Sequence, residues 1–317
     1  MTRTEGAGFV LAAVVVLGVP AVASPYWESL VFLFFMYMAL ALSWNVLGGY
    51  TGYFSFGHIG FFGLGAYVTA ILIHRADVAW HLAVVAGGAA ALLGAAVIAV
   101  PCLRLRGTAF AIVMLAFSQV MRLLAYLLED YTGAGLGIAL PAKENLHAIY
   151  YGFAGIAAAA LAISLWIDRS TFGLHLMAIR DDELSAETVG IDTRTEKFKA
   201  FLLSAAIPGL CGGLYVWYLG YAHPEEAFSL RINTSMIVMA LLGGGGTVVG
   251  PVIGALALFA LSELLWAEYP IFHLLFYGVL ILGLMLFLPD GLAGWWRRLG
   301  QTRGARLLAE PGHPSER

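Results

Sequence analysis

Charged residues are scarce in this chain. Only 12% of its 317 residues are Asp, Glu, Lys or Arg, and 61% are hydrophobic, whereas a soluble domain carries about 25% charged residues. The net charge of −3 offers no basic surface, which argues against a nucleic-acid partner. The mean hydropathy of +0.84 predicts a polytopic membrane protein.

Disulfide, metal and catalytic patterns are lacking as well. Cys102 and Cys211 lie at the end of one apolar run and inside another, so they predict neither a disulfide framework nor a metal site. No histidine pair has metal-ligand spacing, and no Gly-x-Ser-x-Gly nucleophile elbow occurs. We therefore expect a protein that is not an enzyme and binds no cofactor of its own.

Long apolar runs are what the chain has in quantity. A helix needs about 20 residues to cross a hydrocarbon core of roughly 30 Å. The runs predict an all-α integral membrane protein with about ten transmembrane helices, or nine with re-entrant or broken segments in addition. They cover residues 8–23, 29–47, 59–73, 81–103, 108–128, 149–167, 200–221, 234–249, 251–265 and 271–288.

The placement of the basic residues predicts the orientation. With the N-terminus inside, thirteen of the 17 Lys and Arg residues fall on the inner side, as cytoplasmic loops require. We predict cytoplasmic termini, one transmembrane domain at 1–290 that includes a cytoplasmic loop at 168–199, and a cytoplasmic tail at 291–317. Trp and Arg in Trp295-Trp-Arg-Arg298 fit an anchor in the lipid headgroups. Ala21-Val-Ala23 resembles a signal-peptidase site, but the length of the first run favours a retained helix.

Glycine is concentrated in two stretches, at 44–67 and 241–255. The first predicts a broken helix beside a substrate route, with Asn45, Ser55 and His58 as candidate lining residues. The alternative for each of them is a satisfied polar group within small-residue packing. The second stretch has no Lys-Ser or Lys-Thr after its glycines, so it is not a Walker A motif, and it predicts a tight turn between helices.

Two polar residues fall inside the predicted fifth helix. Gln119 and Arg122 are three residues apart and share a face. An intramembrane arginine suggests a pathway or pairing role, so both are candidate lining residues. The alternative for Arg122 is that it snorkels to the outer headgroups.

The glycine stretches and the charged loop together carry a resemblance. The chain resembles the permease subunits of branched-chain amino acid ABC transporters, which take up leucine, isoleucine and valine. The similar segments are 49–67, 106–107 with 109–112, 178–183 with 186–190, and 242–247 with 250–251.

This resemblance implies a multi-pass protein of the bacterial cytoplasmic (inner) membrane. Its implied partners are a second homologous permease, two cytoplasmic ATPases that bind ATP and Mg, and an external or periplasmic solute-binding protein. The chain would form half of the pathway of an importer, and ATP would be hydrolysed only on the partner subunits.

The resemblance also places the coupling of ATP hydrolysis to transport on the charged loop. We expect one short helix over 178–190, docked on an ATPase. Small Ala186 would allow close approach to that partner, and Gly190 would end the helix in a left-handed conformation. The candidate coupling residues are Arg180, Asp181, Asp182, Glu183, Ala186, Glu187 and Gly190, and we expect Arg180, Glu183 and Glu187 to share one face.

The sequence leaves several substrate classes as alternatives. Thr132-Gly-Ala-Gly-Leu-Gly137 and Met114 depart from the usual family pattern, and related permeases carry urea, amides or short aliphatic acids. A secondary transporter or channel is a further alternative, but it would need buried acidic residues for ion coupling. No Asp or Glu lies well inside the ten runs, and Glu263 comes nearest.

Overall fold

The computed structural model describes residues 24–141 and 146–268, together with residues 18, 20 and 278. Apart from those three positions, the predicted runs at 8–23 and 271–288 and the tail at 291–317 lie outside the described residues.

The described residues are mostly helical. In chain order the elements are α1 (Pro25–Gly48), α2 (His58–Ala76), α3 (Trp80–Cys102), α4 (Gly107–Leu127), α5 (Glu129–Thr132), a 3-10 turn (Ala134–Leu136), β1 (Ile138–Ala139), α6 (Leu146–Arg169), α7 (Thr171–Asp181), α8 (Glu183–Thr188), α9 (Thr193–Leu219), β2 (Tyr221–Ala222), α10 (Pro224–Ala227), α11 (Leu230–Gly243) and α12 (Val249–Glu268). The antiparallel pairing of the two-residue strands β1 and β2 is a small departure from the predicted all-α class.

Six of these helices, α1, α2, α3, α4, α6 and α9, are long and apolar enough to cross a membrane. They coincide with six of the ten predicted runs. Helices suit this environment because they satisfy their backbone hydrogen bonds internally. Helix α9 begins seven residues before the predicted run, so its first turns carry charged side chains.

The predicted run at 234–249 forms a short helix and a glycine break, which fits the alternative of a re-entrant or broken segment better than a full span. Helix α11 begins earlier, at Leu230, and ends at Gly243 after 14 residues. Its length of about 21 Å is shorter than a hydrocarbon core of roughly 30 Å. The chain stops being helical there because Gly244 and Gly246 adopt positive φ values of 116° and 78°.

The two ends of the helix bundle are distinct. Helices α7 and α8 lie between the ends of α6 and α9 at one end, which we call the loop end. Strands β1 and β2 pair at the other end, which we call the far end.

Small residues bring α9 close to α2 and α3. A Cβ added at Gly65 of α2 would lie 2.1 Å from the carbonyl oxygen of Gly209 in α9, and one at Gly212 would lie 1.9 Å from that of Phe62. Close backbone approach of this kind is how helices associate in membranes. The α2–α9 crossing therefore has no room for a larger side chain.

We expect Gly65→Ala to abolish the folded protein, because the new methyl group would overlap backbone that cannot move aside. Gly155→Ala in α6 is the matched control, since a Cβ there meets nothing within 4 Å. Size-exclusion chromatography in detergent measures the outcome. A monodisperse Gly65→Ala protein at the wild-type yield would contradict this crossing.

Candidate functional site

The first glycine stretch interrupts the helices, as predicted. Helix α1 ends at Gly48, helix α2 begins at His58, and the residues between them form neither helix nor strand. The indole Nε1 of Trp44 donates a hydrogen bond to the Ser55 carbonyl at 2.8 Å. Gly52 adopts a φ of 73°, so the path of this segment requires glycine there. We call residues 49–57 the broken segment.

The second glycine stretch packs against the first. The Asn45 amide Nδ2 donates to the Thr247 carbonyl at 2.9 Å, and the Gly246 N–H donates to Asn45 Oδ1 at 2.8 Å. A Cβ on Gly49 would lie 2.5 Å from the Gly246 nitrogen. The turn at 244–248, which we call the glycine turn, is therefore fixed to the end of α1.

Arg180 connects the charged loop to both glycine stretches. Its Nη1 donates to the Gly49 carbonyl at 2.7 Å and lies 3.5 Å from the Gly245 carbonyl. A Cβ on Gly246 would lie 2.5 Å from the same Nη1. The guanidinium therefore sits where only glycine leaves space for it.

Glu183 forms a second connection at the start of α8. Its carboxylate accepts a hydrogen bond from Tyr53 of the broken segment at 2.7 Å and one from Arg106 at 3.2 Å. It also pairs with Lys197 of α9 at 2.5 Å, and Lys197 donates to the Tyr53 hydroxyl at 3.1 Å. The ion pair is largely buried, with side-chain exposures of 12% for Glu183 and 4% for Lys197. We call these four residues the charge cluster.

The environment of the charge cluster keeps Glu183 ionised. Burial acts to raise the pKa of its carboxyl, but hydrogen bonds from Lys197 and Tyr53 and the charges of Lys197 and Arg106 outweigh that effect. The net result is a pKa below the usual value for glutamate. The pKa of Asp182 is lowered too, because its carboxylate accepts the hydrogen bond of the Ser185 N–H.

The charged loop differs from the single helix that we predict over 178–190. Asp182, with φ −159° and ψ 114°, separates α7 from α8, and its side chain caps α8 by accepting from the Ser185 N–H. Capping by aspartate explains the break, because it satisfies a donor that a new helix leaves free. Gly190 does adopt the expected left-handed conformation, with a φ of 89°.

The predicted shared face of Arg180, Glu183 and Glu187 is divided by the break at Asp182. Glu183 and Glu187 of α8 both lie near Arg106, at 3.2 and 3.8 Å, whereas Arg180 stands in α7. Arg180 and Glu183 contact the broken segment, and Arg180, Asp181, Asp182 and Glu187 are exposed. Ala186 is only 2% exposed, so its small size serves packing within this chain.

Sequence reasoning missed the exposed apolar residues of the loop. Leu184 and Val189 are 61% and 77% exposed, and Leu174 and Met177 are also exposed. Apolar side chains that project from a charged segment indicate a protein contact. The charged residues beside them lower the mean hydropathy of the whole loop, so the sequence offered no sign of these exposed apolar side chains.

The predicted pathway residues lie in different surroundings. Asn45, Ser55 and His58 are fully buried, with Asn45 bonded to the glycine turn and His58 Nδ1 lying 3.2 Å from the Ser55 hydroxyl. Gln119 is half-buried. Arg122 pairs with Glu225 at 3.5 Å near the far end, which fits the pairing role suggested for an intramembrane arginine.

Metal ligands are not grouped in the part of the chain that the structure describes: no three His, Cys, Asp or Glu side chains there are placed to hold a metal ion.

The chain is similar to known permeases. A family model described as "Branched-chain amino acid transport system / permease component" matches residues 26–288. The high-affinity branched-chain amino acid transport system permease protein LivM of Escherichia coli (strain K12) is 29% identical over 315 residues, which cover 88% of this chain and 73% of LivM. LivM of Salmonella typhimurium is 26% identical over 305 residues, covering 85% and 71%.

More distant similarity extends to another transport system. The autoinducer 2 import system permease protein LsrC of Salmonella typhi is 24% identical over 199 residues, which cover 57% of this chain and 56% of LsrC. No solved structure gives a significant match.

Proposed function

The chain belongs to the family of branched-chain amino acid transport system permease components, and from this premise we propose that it forms half of the transmembrane pathway of an ATP-driven importer. The substrates are branched-chain or other small hydrophobic amino acids. The names of the two LivM relatives support this substrate class, and the LsrC relatives show that permeases of different substrates are also similar to the chain.

The proposed setting is the bacterial cytoplasmic membrane. The loop end faces the cytoplasm, since it carries Arg104, Arg106, Arg180 and Arg194 and cytoplasmic ends are rich in basic residues. Both termini then lie in the cytoplasm. The partners are a second permease, two ATPases and an external solute-binding protein.

One observation carries the coupling mechanism: Arg180 and Glu183 bond directly to the broken segment, at Gly49 and Tyr53. A push on α7 and α8 is therefore transmitted to the backbone that joins α1 to α2. Because Arg180 also reaches the glycine turn, the same movement reaches α11 and α12. Closure of the ATP-bound ATPases would in this way change which side of the pathway is open.

The surface offered to the ATPase consists of the exposed residues of the loop. Leu184 and Val189 provide apolar contact, and Asp181, Asp182 and Glu187 surround them with negative charge. Apolar anchors in a charged rim are the usual anatomy of a specific protein interface.

Leu184→Ser tests this surface. We expect roughly tenfold weaker association with the ATPase, because the interface loses most of a buried leucine side chain. Leu82→Ser at the far end is the matched control, since Leu82 is 59% exposed and Leu184 is 61% exposed. Co-purification of the tagged ATPase with each variant measures the effect. Equal recovery of ATPase with both variants would place the contact elsewhere.

Transport itself is tested by reconstitution. Proteoliposomes that contain both permeases and both ATPases, supplied with binding protein outside and ATP inside, should take up labelled leucine. Valine should compete, whereas urea, amides and short aliphatic acids should not. Uptake by this chain without the ATPases, or by an ion gradient alone, would instead support the channel or secondary-transporter alternative.

A further inference from the structure

A cavity of about 320 Å³ opens between α1, α9, α11 and α12 towards the far end of the bundle. Its volume lies near the lower limit of small-molecule sites, which span ~300–1,000 Å³. The cavity lies away from the charged loop. None of the residues that the sequence predicts to line a pathway borders it.

Two opposite charges border this cavity. Arg231 stands in the first turn of α11 and Glu263 stands in the second half of α12. Within the described residues, Arg231 forms no salt bridge, and Glu263 accepts one hydrogen bond, from the Tyr26 hydroxyl at 3.0 Å. Arg231 is exposed and Glu263 is half-buried, so both charged groups are accessible to a ligand. The start of a short helix adds a favourable field for an anion beside Arg231.

One part of the cavity wall is apolar, and Tyr and Ser side chains make up much of the rest. Leu33 and Met36 of α1 face the cavity together with Met239 of α11 and Phe259 of α12. Methionine side chains adapt their shape to different aliphatic groups. The cavity thus combines one cation, one anion, several hydroxyl groups and a flexible apolar patch.

We propose that this cavity is a transit site for a zwitterionic amino acid with an aliphatic side chain. The Arg231 guanidinium binds the α-carboxylate, the Glu263 carboxylate binds the α-ammonium, and the side chain packs against Met36, Met239 and Phe259. This assignment rests on the proposed function, and it narrows the substrate class. Urea and amides offer neither charge, and a short aliphatic acid offers only the carboxylate, so each would leave at least one of the two charges without an opposite charge on the ligand.

The test uses a leucine analogue with a diazirine in its side chain and the complete transporter purified in lipid nanodiscs. On illumination, the analogue should label peptides of α1, α9, α11 or α12, which mass spectrometry identifies. Leucine should compete for labelling, whereas isovalerate, isoamylamine and urea at the same concentration should not. Labelling outside these helices, or equal competition by isovalerate, would overturn the proposal.

Substitutions of Arg231 and Glu263 test the role of each charge separately. Arg231→Gln and Glu263→Gln should each reduce labelling at least tenfold, because each removes one charge-assisted hydrogen-bond partner. Arg231→Lys should retain part of the labelling. Arg75→Gln is the matched control, since Arg75 lies outside the cavity and stacks over the Tyr131 ring, 4.9 Å from its centroid.

The experiments distinguish failure of the transit site from failure of the importer function. If the wild-type transporter takes up leucine but Arg231→Gln and Glu263→Gln leave labelling and uptake unchanged, the transit site is wrong and the importer function stands. If the wild-type transporter takes up no leucine with ATP and binding protein present, the importer function is wrong. Labelling that is then independent of Arg231 and Glu263 would overturn the transit site as well.

Discussion

Arg180→Ala is expected to reduce ATP-driven leucine uptake at least tenfold while the permease still folds and still binds the ATPase. The substitution removes the hydrogen bond from the guanidinium to the Gly49 carbonyl and the contact with Gly245. A hydrogen bond from a charged donor contributes about 1.5–3 kcal/mol. The larger effect on transport arises because this side chain joins the loop to the broken segment and the glycine turn at once.

Two further variants of the loop act as controls for Arg180→Ala. Arg194→Ala removes the same charge from an exposed position of the loop end and should leave uptake near the wild-type rate. Arg180→Lys should give intermediate uptake, because an ammonium can reach one carbonyl but lacks the planar fork of guanidinium. Uptake and ATP hydrolysis are measured in the same proteoliposomes, and continued hydrolysis without uptake is the expected signature. Normal uptake by Arg180→Ala would show that movement of α7 and α8 is not transmitted to the pathway through Arg180.

Lys197→Met is expected to destabilise the folded permease by about 3 kcal/mol. The ammonium is almost fully buried and pairs with Glu183 and Tyr53. Its removal leaves the Glu183 carboxylate largely buried, with only the half-exposed Arg106 as a cationic partner. Breaking a buried pair from one side is costly because the remaining charge has lost its solvation.

A double-mutant cycle separates this cost from a simple loss of volume. Glu183→Leu combined with Lys197→Met should recover much of the stability, since no buried charge is then left unpaired. Lys199→Met is the surface control, because Lys199 is 53% exposed and pairs with Glu196 at 3.3 Å. Thermal unfolding of the purified variants provides the measurement. If Lys197→Met is as stable as Lys199→Met, the buried pair makes no net contribution.

The charged loop is connected to the rest of the chain through Arg180 and through Glu183, and these two connections have different roles. Arg180 binds backbone carbonyls, so its contact depends on the shape of the broken segment and the glycine turn. Glu183 binds side chains from three other parts of the chain, Tyr53, Arg106 and Lys197. We therefore expect loss of Arg180 to affect transport more than stability, and loss of Lys197 to affect stability first.

The sequence alone determined the class of the protein and most of its helices. Composition decides whether a chain belongs in lipid, and seven predicted runs, including 251–265, became helices because the backbone of a lipid-embedded segment must satisfy its hydrogen bonds locally. The interruption after Gly48 was predictable for a similar reason, since a dense run of glycines weakens a helix whatever surrounds it. The charged loop at 168–199 could be located because it is rich in charged residues and the segments on either side of it are apolar.

Tertiary structure alone decided what the polar groups do. Asn45 and Thr247, or Arg180 and Gly49, are far apart in the chain and meet only through helix packing. A helix that is apolar on every side does not reveal which face is inside, so lining residues could not be separated from packing residues. For the same reason Ala186 was expected at an interface and is buried, and the position of Arg231 and Glu263 at one cavity had no counterpart in local sequence pattern.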